Sequence, residues 1–290
     1  MRLPLVVGVD GSEPSLRAVD WAADEAALRG LPLRLVYASL WERYEGAVPG
    51  RHTGEAEEQM KAEDIVGTAE RRARLRRAGI EVSTGILAEE PEYALLREAR
   101  QAAALVVGSR GRGPVAELLL GSVGLTAAAH ADCPVIVVRG GHDGPAPAGP
   151  RGRIVVGVGE HPGDSAAVRF AAEEAHRRHA SLEAVRAWRC PAHETSDHPQ
   201  LAGEPARLHE QRAVQTLDAA LRDVPPDVDL HRRTVEGPAR TILLDASADA
   251  DLLVVGARRR PGHVGLQLGR VAHGVLHHAA CPVAVVPQRE

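Results

Sequence analysis

Short apolar runs without polar alternation recur along this chain, separated by stretches whose apolar residues return every three or four positions. Leu5-Val6-Val7-Gly8-Val9 is the first such run, Val-rich and too short for a helix. Runs of this kind fit strands buried on both faces. Residues 15–29 then place Leu16, Val19, Ala22, Ala23, Ala26 and Ala27 at helical spacing, and Gly30 follows as a stop. A second strand is predicted over 33–38, a polar loop over 39–53, and a charged helix over 55–78 ended by Gly79. A third strand covers 80–87. Pro91 opens the next helix at a first-turn position, where its missing N–H does no harm. A strand over 104–107, a short helix over 122–131 and a strand over 134–138 complete the series. Strand and helix in strict alternation predict a parallel sheet with right-handed crossovers.

The series then starts again. Leu5-Val6-Val7-Gly8-Val9-Asp10 returns as Ile154-Val155-Val156-Gly157-Val158-Gly159. Leu105-Val106-Val107-Gly108 returns as Leu253-Val254-Val255-Gly256, and Cys133-Pro134-Val135 returns as Cys281-Pro282-Val283. Order and spacing are kept, which identifies a duplicated domain. Gly and Pro crowd the stretch between the copies, from Gly140 to Pro150, and such density sustains neither helix nor central strand. The predicted organisation is an α/β domain over 1–140, a linker over 141–152, and a second α/β domain over 153–290.

Composition narrows the reading. The chain has 290 residues, enough for two cores, and only 2% aromatics, so Val, Leu, Ile and Ala must fill them. A formal charge of −4 offers no general basic field for nucleic acid. Lys61 is the sole lysine, and no Gly-Lys-Ser/Thr is present, so a Walker-type loop is excluded. Three cysteines, Cys133, Cys190 and Cys281, suggest no disulfide framework and fit a reducing compartment. Cys133 and Cys281 each precede a proline at the last strand of a copy, which reads as packing. No apolar run reaches the ~20 residues of a membrane span. The expectation is a cytoplasmic protein that binds neither membrane nor nucleic acid.

In open parallel sheets ligands lie beyond the carboxyl ends of the strands. There the first copy reads Gly108-Ser109-Arg110-Gly111-Arg112-Gly113-Pro114, and ten residues after Gly111 comes Gly121-Ser122-Val123. Glycines let backbone N–H groups approach an anion, and the start of a helix attracts phosphate. Ser122 could donate to a phosphate while capping the helix, and Arg110 and Arg112 could add charge. Asp10 ends the first strand at the same edge, either as a ligand group or as a cap of the following helix. Histidines offer less: His277 and His278 are adjacent and face different ways on a helix, and His193 and His198 share a polar loop with Glu194 and Asp197. Trp41 and Tyr44 follow the second strand, where they could cover a ligand or simply pack.

The spacing Gly108, Gly111, Gly121-Ser122 resembles the ATP-binding pattern of the universal stress protein family, as do the opening Val7-Gly8-Val9-Asp10 and the closing Cys133-Pro134-Val135. The resemblance covers nearly the whole chain as a tandem pair. It implies two Rossmann-like α/β domains, each a five-stranded parallel sheet flanked by helices. It further implies that Gly8, Ala38 and Val107 line an adenine, and that Asp10 meets the ribose or a phosphate-bound Mg2+. Gly108, Gly111, Gly121, Ser122 and Val123 would hold ribose and phosphates of ATP. It implies a homodimer, often formed through the last strand, and a protein partner that the sequence does not name. The second copy departs from this pattern, with Gly159 at the place of Asp10, Arg259 at that of Gly111 and Arg270 at that of Ser122. Either that copy has lost the nucleotide, or its Arg258-Arg259-Arg260 cluster takes a different anion. No general base or substrate domain is recognisable. An ATP-binding regulatory protein with at most slow hydrolysis is therefore expected, against an ATP hydrolase or nucleotidyl-transfer enzyme, or a nucleotide-free interaction module.

Overall fold

A computed structural model describes residues 2–40, 52–109, 120–139, 151–160, 166–191, 204–259 and 268–289, without the side chains of 52–56, 259 and 289. The chain separates into two compact units on either side of Gly140.

The first unit runs β1 (Leu5–Gly8), α1 (Glu13–Arg29), β2 (Leu33–Ala38), α2 (His52–Arg76), β3 (Val82–Leu87), α3 (Pro91–Ala99), β4 (Ala104–Gly108), α4 (Ser122–His130) and β5 (Val135–Val138). Its strands lie in the order β3-β2-β1-β4-β5, all parallel. Strands β1, β4 and β5 are buried on both faces, with Leu5, Val6, Leu105, Val106, Ile136 and Val137 at 1% exposure or less. Each such side chain contributes roughly 1.5–3 kcal/mol on leaving water, which is why the Val-rich runs become strands. Helix α1 covers the sheet with an alanine face, Ala18, Ala22, Ala23 and Ala26, all fully buried. It ends where Gly30 turns left-handed at φ 61° and returns its N–H to the last turn. Fully buried Glu25 is held by Arg29 one turn on, and Glu174 is held likewise by Arg178 in the second unit.

The second unit repeats the plan: β6 (Arg153–Gly157), α5 (Ala166–Arg178), β7 (Ser181–Trp188), α6 (Glu204–Ala220), β8 (Leu230–Glu236), α7 (Ala239–Ser247), β9 (Leu252–Arg259), α8 (Arg270–His278) and β10 (Val283–Arg289). Its strand order is β8-β7-β6-β9-β10, again parallel. The two sheets are the same sheet drawn twice, with the order reversing beside β1 in one unit and beside β6 in the other. Such a reversal opens a crevice at the carboxyl edge.

One difference is large. In the first unit the β4–β5 ladder ends at Gly108 opposite Val138. In the second the β9–β10 ladder passes the matching pair, Gly256 opposite Val286, and continues through Ala257–Pro287, Arg258–Gln288 and Arg259–Arg289. No helix among the described residues is long and apolar enough to cross a membrane.

Candidate functional site

At the crevice of the first unit, β1 and β4 lie side by side, with Val7 opposite Val106. Gly8 closes β1 and Gly108 closes β4, and Ala38 closes the neighbouring β2. The chain leaves the sheet at Ser109 and comes back at Gly121, whose N–H donates to the Ser109 carbonyl at 3.2 Å. The two halves of the glycine pattern are thus tied together. Gly111 and Arg110 lie outside the described residues, as do Arg112, Gly113 and Pro114.

Gly121 is the residue before α4 and leaves the helix without a side-chain cap. Leu125 makes the first helical bond, to the Gly121 carbonyl. The amides of Ser122, Val123 and Gly124 therefore precede the helical ladder and point out of the helix start. Ser122 is not the cap that its position suggests. It sits at the first helical residue, and its hydroxyl donates to Glu92 Oε1 at 3.0 Å.

Asp10 does not cap α1 either. Ser12 does, accepting from the Ser15 N–H at 3.3 Å. Asp10 Oδ1 accepts both the Ser12 N–H at 2.9 Å and the Ser12 hydroxyl at 2.6 Å. This local turn holds the carboxylate at the end of β1 through one oxygen. Among the described residues no hydrogen bond reaches Oδ2, which is left for another partner.

The glycines also answer to the protein's own packing. A Cβ on Gly108 would lie 2.7 Å from the carbonyl of Pro14 and 2.9 Å from Ser15 N, so the start of α1 leaves room for no side chain. A Cβ on Gly8 would meet Leu95 at 2.8 Å. Gly108 is thus demanded by α1 as well as by any ligand. Around Gly121, by contrast, none of the described residues stands within 4 Å of a Cβ, and its φ of −63° suits any residue.

A family model described as the universal stress protein family matches residues 1–139 and again 150–287. The chain belongs to the universal stress protein family. A universal stress protein of Mycobacterium tuberculosis is 32% identical over 293 residues, covering 98% of this chain and 97% of its own. Another from the same organism is 32% identical over 309 residues, covering 99% and 96%. The crystal structure of a universal stress protein from Archaeoglobus fulgidus matches with a TM-score of 0.68 at 16% identity, over 98% of both chains. That likeness carries the tandem universal-stress-protein fold. The family resemblance and the paired five-stranded sheets read from sequence are both met.

In this universal stress protein the second unit keeps part of the crevice and changes the rest. Gly157, Ala187 and Val255 stand at the places of Gly8, Ala38 and Val107, and all three line a cavity of about 300 Å³. A Cβ on Gly157 would meet Leu243 at 2.8 Å, as one on Gly8 meets Leu95. At the other end the extended β9 draws residues 257–259 into the sheet, and the Gln288 side chain lies against Gly256. The Arg259 and Arg270 substitutions are only part of the change, because the backbone itself follows another path. Arg186 and Gln288, which line this cavity, were invisible to motif reading, since neither falls on the glycine pattern.

Other candidates resolve simply. His277 is buried and His278 exposed, as adjacent helical positions require. Burial pushes the Cys281 thiol up to about 12, so it is not a nucleophile at neutral pH. Cys133 is buried too. Among the described residues no three His, Cys, Asp or Glu side chains converge as a metal cluster. His193, His198, Trp41 and Tyr44 lie outside the described residues.

Proposed function

We propose that this chain is an ATP-binding regulatory protein in which the first unit holds the nucleotide and turns it over slowly or not at all. Gly8, Ala38 and Val107 flank the adenine. Asp10 meets the ribose or a Mg2+ on the phosphates, using the oxygen that Ser12 leaves open. Gly108, Arg110 and Gly111 supply backbone and charge on one side of the phosphates. Gly121, Ser122 and Val123 supply the helix start on the other. The observation that carries this reading is the tie between Ser109 and Gly121. It sets the uncapped amides of α4 beside the end of β4, with the Asp10 carboxylate held at the end of adjoining β1. Convergent amides and a helix dipole suit phosphate. A homodimer in the cytoplasm, signalling to a protein partner through ATP occupancy, completes the proposal.

Two described side chains at this edge support slow or absent turnover. Asp10 Oδ1 is occupied by Ser12, and Ser122 is bonded to Glu92. Ser122 is thus not arranged as a general base, and the open oxygen of Asp10 is assigned here to the ribose or Mg2+ rather than to an attacking water.

The test is calorimetry with free-phosphate detection on the full chain. One ATP per chain and little phosphate release are expected. Gly121→Asp should weaken ATP by about a hundredfold or more, since a carboxylate beside phosphate costs several kcal/mol. The fold should persist, because no described residue stands within 4 Å of a Cβ there and the φ of −63° suits any residue. Unchanged ATP binding in that variant, or rapid phosphate release from the wild type, would overturn the reading.

A further inference from the structure

In the first unit, arginines stitch α2 to α1. Arg72 bonds Asp20 through both arms of its fork, at 2.9 and 2.7 Å. Arg76 and Arg77 both reach Asp24, each at 2.7 Å. The two helices pack against each other along this seam.

The second unit repeats the helices and drops the stitches. The run Ala18 to Ala26 of α1 returns as Ala167 to Ala175 of α5, so Arg169 and Glu173 stand for Asp20 and Asp24. Val82 and Leu230 hold the same place in the two sheets, opposite Leu33 and Leu182. Counting back from them sets the buried Leu217 and Leu221 on the buried Ala69 and Ala73. Ala220, Val224 and Pro225 then stand for Arg72, Arg76 and Arg77. All three donors are gone, and α5 and α6 stand apart.

A cavity of about 320 Å³ is left between α5 and the end of α6, within the ~300–1,000 Å³ of small-molecule pockets. Its walls are apolar at Ala172, Ala220, Val224 and Pro225. Its charged groups are Arg169, Glu173 and His176 on α5, with Asp223 and Asp227 in the turn that leads to β8. Glu173 is paired with Arg177 at 3.1 Å, and His176 Nδ1 with Asp227 at 2.9 Å. Asp223 has no hydrogen bond or ion pair among the described residues. Arg169 lies two helical turns before His176, so a cation is favoured at the Asp223 and Asp227 end and a like charge is repelled at the other. The first unit spans this seam with alkyl stems that end in guanidinium groups. Here stems and guanidinium groups are missing together, while alkyl walls and carboxylates remain.

We infer that this cavity binds a small aliphatic cation, an alkylguanidinium or alkylammonium of about the length of an arginine side chain. Its alkyl body lies on Ala172, Ala220 and Val224, and its cationic end meets Asp223, with Asp227 beside it. The site shares no lining residue with the crevice of the same unit and does not rest on the nucleotide reading. The ligand supplies from outside what the first copy carries in its own sequence.

The experiment titrates the nitrogen-15-labelled full chain with butylguanidinium chloride at constant ionic strength, followed by backbone amide shifts in NMR. Saturable shifts confined to residues 168–176 and 219–227 are expected, with a midpoint on the order of 1 mM for so small a ligand. Butylurea, its neutral isostere, should bind about two- to fivefold more weakly, the scale of an exposed charge interaction. Methylguanidinium should bind about tenfold more weakly, having three fewer methylenes to bury. Val224→Arg returns the first unit's residue to the seam and should abolish the shifts, as should the uncharged filler Val224→Met. Asp223→Asn should weaken butylguanidinium by about two- to fivefold and leave butylurea unchanged. Thermal melts of each variant confirm folding. No saturable shift at these residues, butylurea bound as tightly as butylguanidinium, or a titration indifferent to both Val224 variants would each overturn the inference.

Discussion

Ser122 and Glu92 show how one hydrogen bond can set the terms of binding. The Ser122 hydroxyl reaches Glu92 at 3.0 Å, so under the proposed function an incoming phosphate would compete for it and would also approach a carboxylate. Glu92→Gln keeps an acceptor for the hydroxyl and removes the charge. ATP should then bind about two- to fivefold more tightly, the scale of a partly exposed charge interaction. Calorimetry at low and moderate salt checks this, and the gain should shrink as salt rises. Asp10 and Ser12 form the other pair at this edge. Ser12 serves the helix as its cap and serves Asp10 as a double donor, so the serine would support the proposed site without touching the ligand.

At the scale of the element, the two units differ most in how far the ladders of β4 and β9 run, and the proposed function makes that difference testable. Exchanging Arg259→Gly, Arg270→Ser and Gly159→Asp restores the side-chain pattern of the first unit, yet leaves the β9–β10 ladder and Gln288 in place. That triple variant should remain without ATP at its second unit. Adding Gln288→Gly, the residue that Gly140 matches in the first unit, frees the space over Gly256, and a second equivalent of ATP should then appear in calorimetry. A triple variant that binds two ATP would show that the ladder gives way readily. The elements themselves were plain from sequence, because Val-rich runs and alanine stripes report burial directly. The strand end at Ala38 followed from the same runs, and those of β1 and β4 were read one residue off, at Val9 for Gly8 and at Val107 for Gly108, which was close enough to mark the edge where the proposed site lies. The longer ladder was not legible: Gly256-Ala257-Arg258-Arg259 resembles a loop until its pairing with Pro287 to Arg289 is seen. The capping role of Ser12 was missed for a related reason. Asp10, Ser12 and Ser15 are all competent caps, and only the geometry of α1 chooses among them. Arg186 was hidden because its place at the second cavity depends on the register of β7 against β6, and the matching position in the other copy is Tyr37.

On the scale of the whole molecule, each unit buries its own strands and helices, so ligand binding to one is a local stabilisation. ATP at a hundred times its dissociation constant should stabilise the first unit by about 2.7 kcal/mol. Hydrogen exchange read by mass spectrometry should slow at residues 108–109 and 121–125. Residues 256–259 should be indifferent to ATP, being protected already by the ladder with β10. Slowing at 256–259 of the size seen at 108–109 would contradict the assignment of ATP to the first unit. Leu95 leans on Gly8 and Leu243 on Gly157 with the same 2.8 Å clearance for a Cβ. The two copies are therefore interchangeable cassettes at depth: a chimera that transplants only the surface segments would seat them on a foundation they already fit. On the proposed reading, a crevice of this duplicated chain can change its ligand through its strand ends while the leucine beneath each first-strand glycine stays where it is.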